Sequence, residues 1–207
     1  MLYDFIIQNY HLGEPIFVGD IVLEGMSGAD RIRQLERLVA YEKLIKYAAG
    51  IYYIPDKTGP KGQNTLCPDV VARNQYIFRR GRRIGYYGGH TLANQMGLSS
   101  QVPIKEEFVS NEARENEEEV LFGKRIYIVR KPPVEVTEDN YRVLQLLEAL
   151  KDFEECADES MPAAEAQITY YIRKNKVSKE KVDAYLGYFP STVRDNIREM
   201  RLENVLA

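Results

Sequence analysis

The sequence contains few residues of the types that most often build metal centres. Of its 207 residues, two are cysteine and two are histidine. Cys67 and Cys156 are far apart and match no CxxC pattern, so the sequence predicts no metal site. The same scarcity predicts a protein with reduced cysteines, and no cofactor is expected.

Long apolar runs are absent as well. No segment approaches the roughly 20 apolar residues that a membrane-spanning helix needs. The first residues, MLYDFIIQNYHLGEP, lack the basic start and the small-residue cleavage site of a signal peptide. We therefore expect a cytoplasmic protein without a membrane partner, and a hydrophobic fraction of 44% predicts a folded core.

The common catalytic motifs are missing too. The sequence has no HExxH, no GxSxG, no GxxxxGK[ST] and no GxGxxG. His90 follows a glycine-rich stretch, but no nucleophile or orienting acid stands beside it. The sequence thus predicts a protein that is not an enzyme. One alternative is a nucleotide-binding or catalytic regulator that uses the segment GYYGGHTLANQ.

Charge is unevenly distributed along the chain although its net value is only −3. Basic residues dominate from 61 to 100, and Glu117, Glu118 and Glu119 form an acidic run that we interpret as a loop. The densest basic group could bind a nucleic acid or an acidic partner, or be a solvated face, which leaves an RNA- or protein-binding adaptor as a further alternative. This arginine cluster comprises Arg79, Arg80, Arg82 and Arg83.

The first 56 residues show a helical pattern that gives way to a strand pattern. Apolar residues at helical spacing predict a helix over residues 2–10, followed by a short extended piece and about two turns of helix in PIFVGDIVLEG. Ser27, with Asp30 three residues later, predicts the capped start of an amphipathic helix. The segment LIKYAAGIYYIP then predicts a hairpin whose turn lies at Gly50. This order is typical of a winged helix-turn-helix.

The helix that begins at Ser27 has the composition of a DNA-reading helix. Such a helix needs long polar donors opposite its apolar stripe, which here is Ala29, Ile32, Leu35, Leu38 and Val39. In the hairpin, Lys46 and Tyr47 could contact backbone phosphates, which fix register without reading sequence. The predicted helix contacts are Ser27, Arg31, Arg33, Gln34 and Arg37.

The rest of the chain predicts a linker and a second domain. Residues 57–69 are rich in turn formers, and residues 70–207 combine strand-like and helical patterns, with helices from about residue 137 onward. The predicted fold class is therefore α+β, with an N-terminal winged helix-turn-helix and a mixed C-terminal domain that ends in helices.

Three segments together resemble a known family. RIRQLERLVAYEKLIKYAAGIYYIP, IGYYGGHTLANQMGLSSQVP and YFPSTVRDNI are similar to the AbiEi-type antitoxins of type IV, or abortive-infection, toxin–antitoxin systems. The resemblance implies a winged-helix domain that binds inverted repeats in the promoter of the protein's own operon. It also implies a C-terminal antitoxin domain that antagonises a cognate nucleotidyltransferase-like toxin. This chain departs from the family at Tyr41-Glu42-Lys43, where relatives often carry a glycine before the wing.

Overall fold

A computed structural model describes residues 1–56 and 65–206 of the protein. The chain forms two compact units, Met1–Val71 and Ala72–Ala207. Part of the segment predicted as a linker, residues 57–64, lies outside the described residues. The remainder of that segment belongs to the first unit, where Leu66 is buried.

The N-terminal unit combines helices with a small antiparallel sheet. The sheet has the strand order β1-β3-β2 and carries a hairpin turn at Gly50, whose φ is +75°. Its elements are α1 (Leu2–Asn9), β1 (Ile16–Phe17), α2 (Gly28–Ala40), β2 (Ile45–Ala48) and β3 (Ile51–Tyr53), with a 3-10 turn at Val18–Asp20.

The second helix predicted in this unit is reduced to that single 3-10 turn. After the turn, Ile21 is fully buried, Val22 is 72% exposed and Leu23 packs against the core. This alternation is the pattern of an extended chain, because a helix would place apolar neighbours three and four residues apart. The prediction of two helical turns in PIFVGDIVLEG was therefore wrong.

The core of this unit fixes which side of α2 faces outward. Leu35 is fully buried against Ile6 of α1 and Ile16 of β1, while Leu38 and Val39 pack at the edge of the same cluster. Burying one such side chain contributes roughly 1.5–3 kcal/mol. The predicted apolar stripe is narrower than expected, since Ala29 and Ile32 are exposed.

Helix α2 ends in a Schellman motif that has a glutamate where glycine is usual. The Lys43 N–H donates to the Leu38 carbonyl and the Glu42 N–H to the Val39 carbonyl, both at 2.9 Å. Glu42 accordingly adopts a left-handed conformation with φ +54°. Glu42 thus occupies a position whose backbone favours glycine.

The C-terminal unit places a four-stranded sheet beside a set of helices. The sheet order is β6-β7-β9-β8, in which β7 and β9 are parallel and the other pairs antiparallel, and β4 and β5 form a separate hairpin. Its strands are β4 (Phe78–Arg79), β5 (Arg82–Arg83), β6 (Gly85–Tyr87), β7 (Glu106–Ser110), β8 (Glu117–Phe122) and β9 (Arg125–Arg130). Its helices are α3 (Pro68–Tyr76), which begins in the N-terminal unit, α4 (Gly89–Met96), α5 (Tyr141–Lys151), α6 (Phe153–Cys156), α7 (Met161–Asn175), α8 (Lys179–Leu186) and α9 (Ser191–Glu199), followed by a 3-10 turn at Leu202–Asn204.

The acidic run at 117–119 is a strand, so its interpretation as a loop was wrong. Glu117 lies opposite Arg130 of β9 and accepts a hydrogen bond from its Nε at 2.8 Å. The strand then continues as Val120-Leu121-Phe122, in which Phe122 is buried. Glutamate has a low propensity for strands. Cross-strand pairing of opposite charges stabilises a sheet, and the pairing with Arg130 offsets that low propensity here.

The helical region begins at Tyr141 rather than at about residue 137. Asn140 is buried, and its side-chain oxygen accepts a hydrogen bond from the Thr137 N–H while its amide donates to the Glu135 carbonyl. These local bonds stabilise a turn over residues 137–140 and delay the helix. Helix α5 then forms the centre of the unit, and its leucines at 144, 146, 147 and 150 are fully buried.

Replacing Glu42 by glycine should stabilise the N-terminal unit by about 1 kcal/mol, because glycine adopts positive φ without the Cβ clash. Urea unfolding, with hydrogen exchange of the α2 amides to localise the effect, measures the change. Glu36→Gly is the matched control: it places glycine at an exposed position inside the same helix and should destabilise by roughly 1 kcal/mol. Equal destabilisation by the two variants would contradict the left-handed end of α2.

Candidate nucleic-acid interface

The predicted DNA-reading helix begins where the sequence placed it. Ser27 is the N-cap of α2, and its Oγ accepts a hydrogen bond from the Asp30 N–H at 3.1 Å. The same hydroxyl donates to Asp30 Oδ2 at 2.6 Å. The predicted cap is confirmed, but these two bonds occupy the hydroxyl that was predicted to contact DNA.

Two of the predicted arginines lie together on the exposed side of α2. Arg33 and Arg37 are four residues apart and therefore neighbours on the helix surface. Arg33 forms a loose ion pair with Asp30 at 3.4 Å between exposed side chains, which contributes little to stability. Arg37 has no ion pair within residues 1–56 and 65–206. Both guanidinium groups are thus available to an anionic partner.

Arg31 and Gln34 lie on other sides of the helix. Arg31 is half-buried, and its Nη1 donates to the Val18 carbonyl at 3.1 Å, so it fixes the 3-10 turn to α2. Gln34 is half-buried as well. Of the five predicted helix contacts, the outward-facing pair is Arg33 and Arg37.

The sequence-based reasoning missed Ile32. It was assigned to the apolar stripe, but it is 47% exposed and lies on the outer side of α2, one turn from Glu36. Four residues before and after it stand Gly28 and Glu36, which are not apolar, but Ala29 and Leu35 at three residues are, so the signal for an outward position is weak. An exposed aliphatic side chain beside two arginines can contact a thymine methyl group in a major groove.

The two predicted wing residues point to opposite sides of the hairpin, as side chains along a strand alternate. Lys46 is exposed, with its Nζ 3.8 Å from Glu36 Oε1 and 6.0 Å from the centre of the Tyr52 ring. Tyr47 is half-buried near Cys67 and Asp69, and burial raises the pKa of its hydroxyl. Lys46 is therefore the wing residue that remains accessible, whereas Tyr47 packs inside its own unit.

The arginine cluster in the C-terminal unit divides into two bound and two exposed side chains. Arg79 donates to Glu112 Oε2 at 2.7 Å. The Arg83 guanidinium stacks between the rings of Phe78 and Tyr141, at 3.9 and 3.6 Å from their centres, and its Nε donates to Glu138.

The other two arginines lie at and beside the tip of the β4–β5 hairpin. Arg80 and Gly81 both have positive φ, which is the geometry of a two-residue hairpin turn. Arg80 and Arg82 are exposed, and neither has an ion pair with any residue that the structure describes. Within the arginine cluster, Arg80 and Arg82 are therefore the side chains that are available to a partner.

The glycine-rich stretch before α4 is shaped around a carboxylate of the protein itself. Gly89 has φ +50°, and a Cβ built on it would lie 2.1 Å from Glu107 Oε2. The buried Glu107 carboxylate accepts a hydrogen bond from the His90 N–H at 3.0 Å. The N-terminus of α4 is thus capped by an internal anion, and this arrangement argues against the alternative in which GYYGGHTLANQ binds a nucleotide.

The carboxylate of Glu107 belongs to a larger set of partly buried charges. Arg130 donates to Glu107 Oε2 at 2.9 Å, to Glu117 Oε2 at 2.8 Å and to Asp152 Oδ2 at 3.4 Å. Nearby, Lys151 donates to Glu148 at 2.6 Å, and burial raises the pKa of the Glu148 carboxyl. These contacts connect β7, β8 and β9 to the end of α5.

Tyr86 and Tyr87 anchor the same stretch to the core. Tyr86 is fully buried between the sheet and α5, and the Tyr87 ring lies 5.3 Å from that of Phe108. The glycine at 85 is required for a different reason, because a Cβ there would lie 2.0 Å from the Tyr76 carbonyl. The motif is explained by packing and capping within the unit.

Glu107→Gln should destabilise the protein by roughly 2 kcal/mol, because it removes the buried negative partner of Arg130. Glu117→Gln makes the same chemical change on another partner of Arg130, but at a side chain that is 61% exposed, and should cost less than about 1 kcal/mol. Thermal and urea unfolding of both variants measure the difference. Equal losses would contradict the central role assigned to Glu107.

Within the described residues, no helix is long and apolar enough to span a membrane, and no group of three His, Cys, Asp or Glu side chains could hold a metal ion.

Comparison with known proteins assigns the chain to one protein family. No curated protein matches the chain. A family model does match residues 4–180, so the chain belongs to the family of unknown function DUF6088.

Proposed function

We propose that the protein is a DNA-binding antitoxin that represses its own operon and antagonises a cognate nucleotidyltransferase-like toxin. The observation that carries the DNA-binding part is the outer face of α2. There Arg33 and Arg37 lie one turn apart on the exposed side of the helix, next to Ile32 and Glu36, and none of these side chains belongs to the core of the unit. We call Ile32, Arg33, Glu36 and Arg37 the reading face.

The order of elements around this helix supports a winged helix-turn-helix. A helix, a short strand, a one-turn connector and α2 are followed by the β2–β3 hairpin, and the first strand pairs with β3 in the order β1-β3-β2. In helix-turn-helix proteins the second helix enters the major groove while adjoining elements contact the backbone. The connector is only a 3-10 turn here, and Arg31 stabilises its position through the Val18 carbonyl.

The charge pattern also fits a contact with promoter DNA. Two exposed ion pairs lie on and near the reading face, Arg33 with Asp30 and Lys46 with Glu36, each within 4 Å. A DNA phosphate could take the place of the carboxylate in either pair. Phosphate contacts release counterions, so affinity should fall steeply with salt. Inverted repeats in the promoter are the expected target, as the resemblance to AbiEi-type antitoxins implies.

Antagonism of the toxin rests on the resemblance of the C-terminal segments. Within that unit, Arg80 and Arg82 are the exposed members of the arginine cluster and lie on a short hairpin with a two-residue turn. Such a hairpin presents two cations with few competing contacts. An acidic surface of the toxin is therefore the partner we assign to it.

The double variant Arg33→Glu/Arg37→Glu should weaken binding to a promoter fragment by roughly a hundredfold, since each lost contact costs about 1–3 kcal/mol. Fluorescence anisotropy over a range of salt concentrations measures both affinity and salt slope. Arg79→Glu/Arg83→Glu is not a suitable control because both side chains are bound internally. Arg80→Glu/Arg82→Glu is suitable, and should leave promoter affinity within about twofold. Undiminished binding by a folded reading-face variant would contradict the assignment of α2.

The hairpin variant Arg80→Glu/Arg82→Glu should lose protection of cells against the cognate toxin while retaining repression. Co-expression with the toxin measures protection, and a promoter fusion measures repression in the same strain. The reading-face variant should give the opposite pattern. Full protection by a stably expressed hairpin variant would show that the toxin is antagonised elsewhere.

A further inference from the structure

A cavity of about 490 Å³ opens between α4, α5 and α7 of the C-terminal unit. It lies at the C-terminal end of α4, away from the helix start that Glu107 caps. Its volume is within the range of roughly 300–1,000 Å³ that small-molecule sites occupy. Its lining residues are Leu92, Asn94, Gln95, Met96, Gly97, Arg142, Gln145, Gln167, Tyr170, Tyr171, Lys174 and Asn175.

The chemistry of this lining changes from the floor of the cavity to its rim. Leu92 and Met96 are buried and form an apolar floor. The walls are half-buried and mainly amides, and the rim is exposed and carries cations, amides and an aromatic ring. The walls are Asn94, Gln145, Tyr171 and Asn175, and the rim is Gln95, Arg142, Gln167, Tyr170 and Lys174.

The walls are held in place by hydrogen bonds among themselves. The Tyr171 hydroxyl lies 3.1 Å from Gln145 Oε1 and 3.1 Å from the Arg142 carbonyl. Asn175 donates to the Tyr171 carbonyl at 2.9 Å, and its Oδ1 accepts a hydrogen bond from Arg142. The positions of these groups are therefore set before any ligand arrives, which lowers the entropic cost of binding.

In the rim, Arg142 is bound to Asn175 and lies 5.2 Å from the centre of the Tyr141 ring, whereas the other polar side chains have fewer internal partners. The side chains of Gln95 and Gln167 form no hydrogen bond with another described residue, and the Lys174 ammonium contacts the Tyr170 ring, 5.5 Å from its centre. Tyr170 itself is 60% exposed. The two charged residues of the lining are Arg142 and Lys174, and no carboxylate faces them from the described lining.

We propose that this cavity binds one unpaired nucleotide. A nucleobase has two apolar faces and an edge of amide-like donors and acceptors, which match the Tyr170 ring, the apolar floor and the amide walls. Its phosphate matches the cations of the rim, Arg142 and Lys174. Stacking on an aromatic side chain beside a basic residue is the usual way in which proteins hold unpaired bases. The nucleotide can be free or part of a single strand, and the site acts independently of duplex binding by α2.

The test uses the full chain and three kinds of probe. The probes are the four ribonucleoside 5′-monophosphates with the matching nucleosides, inorganic phosphate, and short single-stranded oligomers of uridine and thymidine. Calorimetry measures the small ligands, and fluorescence anisotropy measures the labelled oligomers. Binding of monophosphates identifies a free nucleotide as a ligand, whereas binding of oligomers alone identifies a strand, and both results support the site.

Two pairs of variants locate the binding. Tyr170→Leu should weaken every nucleotide probe by about tenfold, because base stacking on a ring contributes roughly 1–3 kcal/mol. Its control is Tyr188→Leu, at a tyrosine of nearly equal exposure, 59%, outside the cavity. Lys174→Gln should weaken nucleotides several-fold but leave nucleosides unchanged, and Lys181→Gln, on the exposed surface of α8, should affect neither.

Three results would overturn the proposal. One is that no probe binds at millimolar concentration. Another is that Tyr170→Leu and Tyr188→Leu behave alike. The third is that inorganic phosphate binds to the cavity as tightly as the nucleoside monophosphates do. The rim would then be a general anion-binding surface that does not recognise the base. The reading-face variant Arg33→Glu/Arg37→Glu should retain nucleotide binding, so failure of the cavity and failure of the DNA-binding proposal are distinguishable.

Discussion

The ion pair between the buried carboxylate of Glu107 and Arg130 connects the start of α4, the sheet and the end of α5 in the C-terminal unit. The carboxylate caps the start of α4 through the His90 N–H and pairs with Arg130, which in turn contacts Glu117 of β8 and Asp152 at the end of α5. A buried ion pair costs desolvation, so its partners must be satisfied together. Glycine at position 89 is the consequence, because a side chain there would occupy the place of the carboxylate.

This arrangement explains why the glycine-rich segment resembles a ligand loop without having room for an anion in that place. A phosphate-binding helix start leaves its N–H groups free, whereas here the protein supplies the anion. The same division between internal and available charge holds for the arginines. Arg31, Arg83 and Arg130 stabilise their own units, and Arg33 and Arg37 remain exposed. A net charge of −3 conceals this division.

Local patterns in the sequence were sufficient to predict several elements. The Ser27 cap and the hairpin turn at Gly50 depend on a few adjacent residues and were confirmed. Long-range contacts could not be predicted in this way. The acidic strand β8 depends on Arg130, which is 13 residues from Glu117. The inward position of Tyr47 depends on packing near Cys67 and Asp69. The cavity at Tyr170 depends on three helices that are separated along the chain.

The central claim is that the outer face of α2 contacts promoter DNA. A photo-cross-linking amino acid in place of Ile32, an exposed residue of that face, tests it most directly, with the same substitution at Tyr188 in the C-terminal unit as the reference. The account predicts a cross-link from position 32 to a promoter duplex that contains an inverted repeat, and none from position 188. Cross-linking from position 188 but not from position 32, in a folded protein that still binds the duplex, would contradict it.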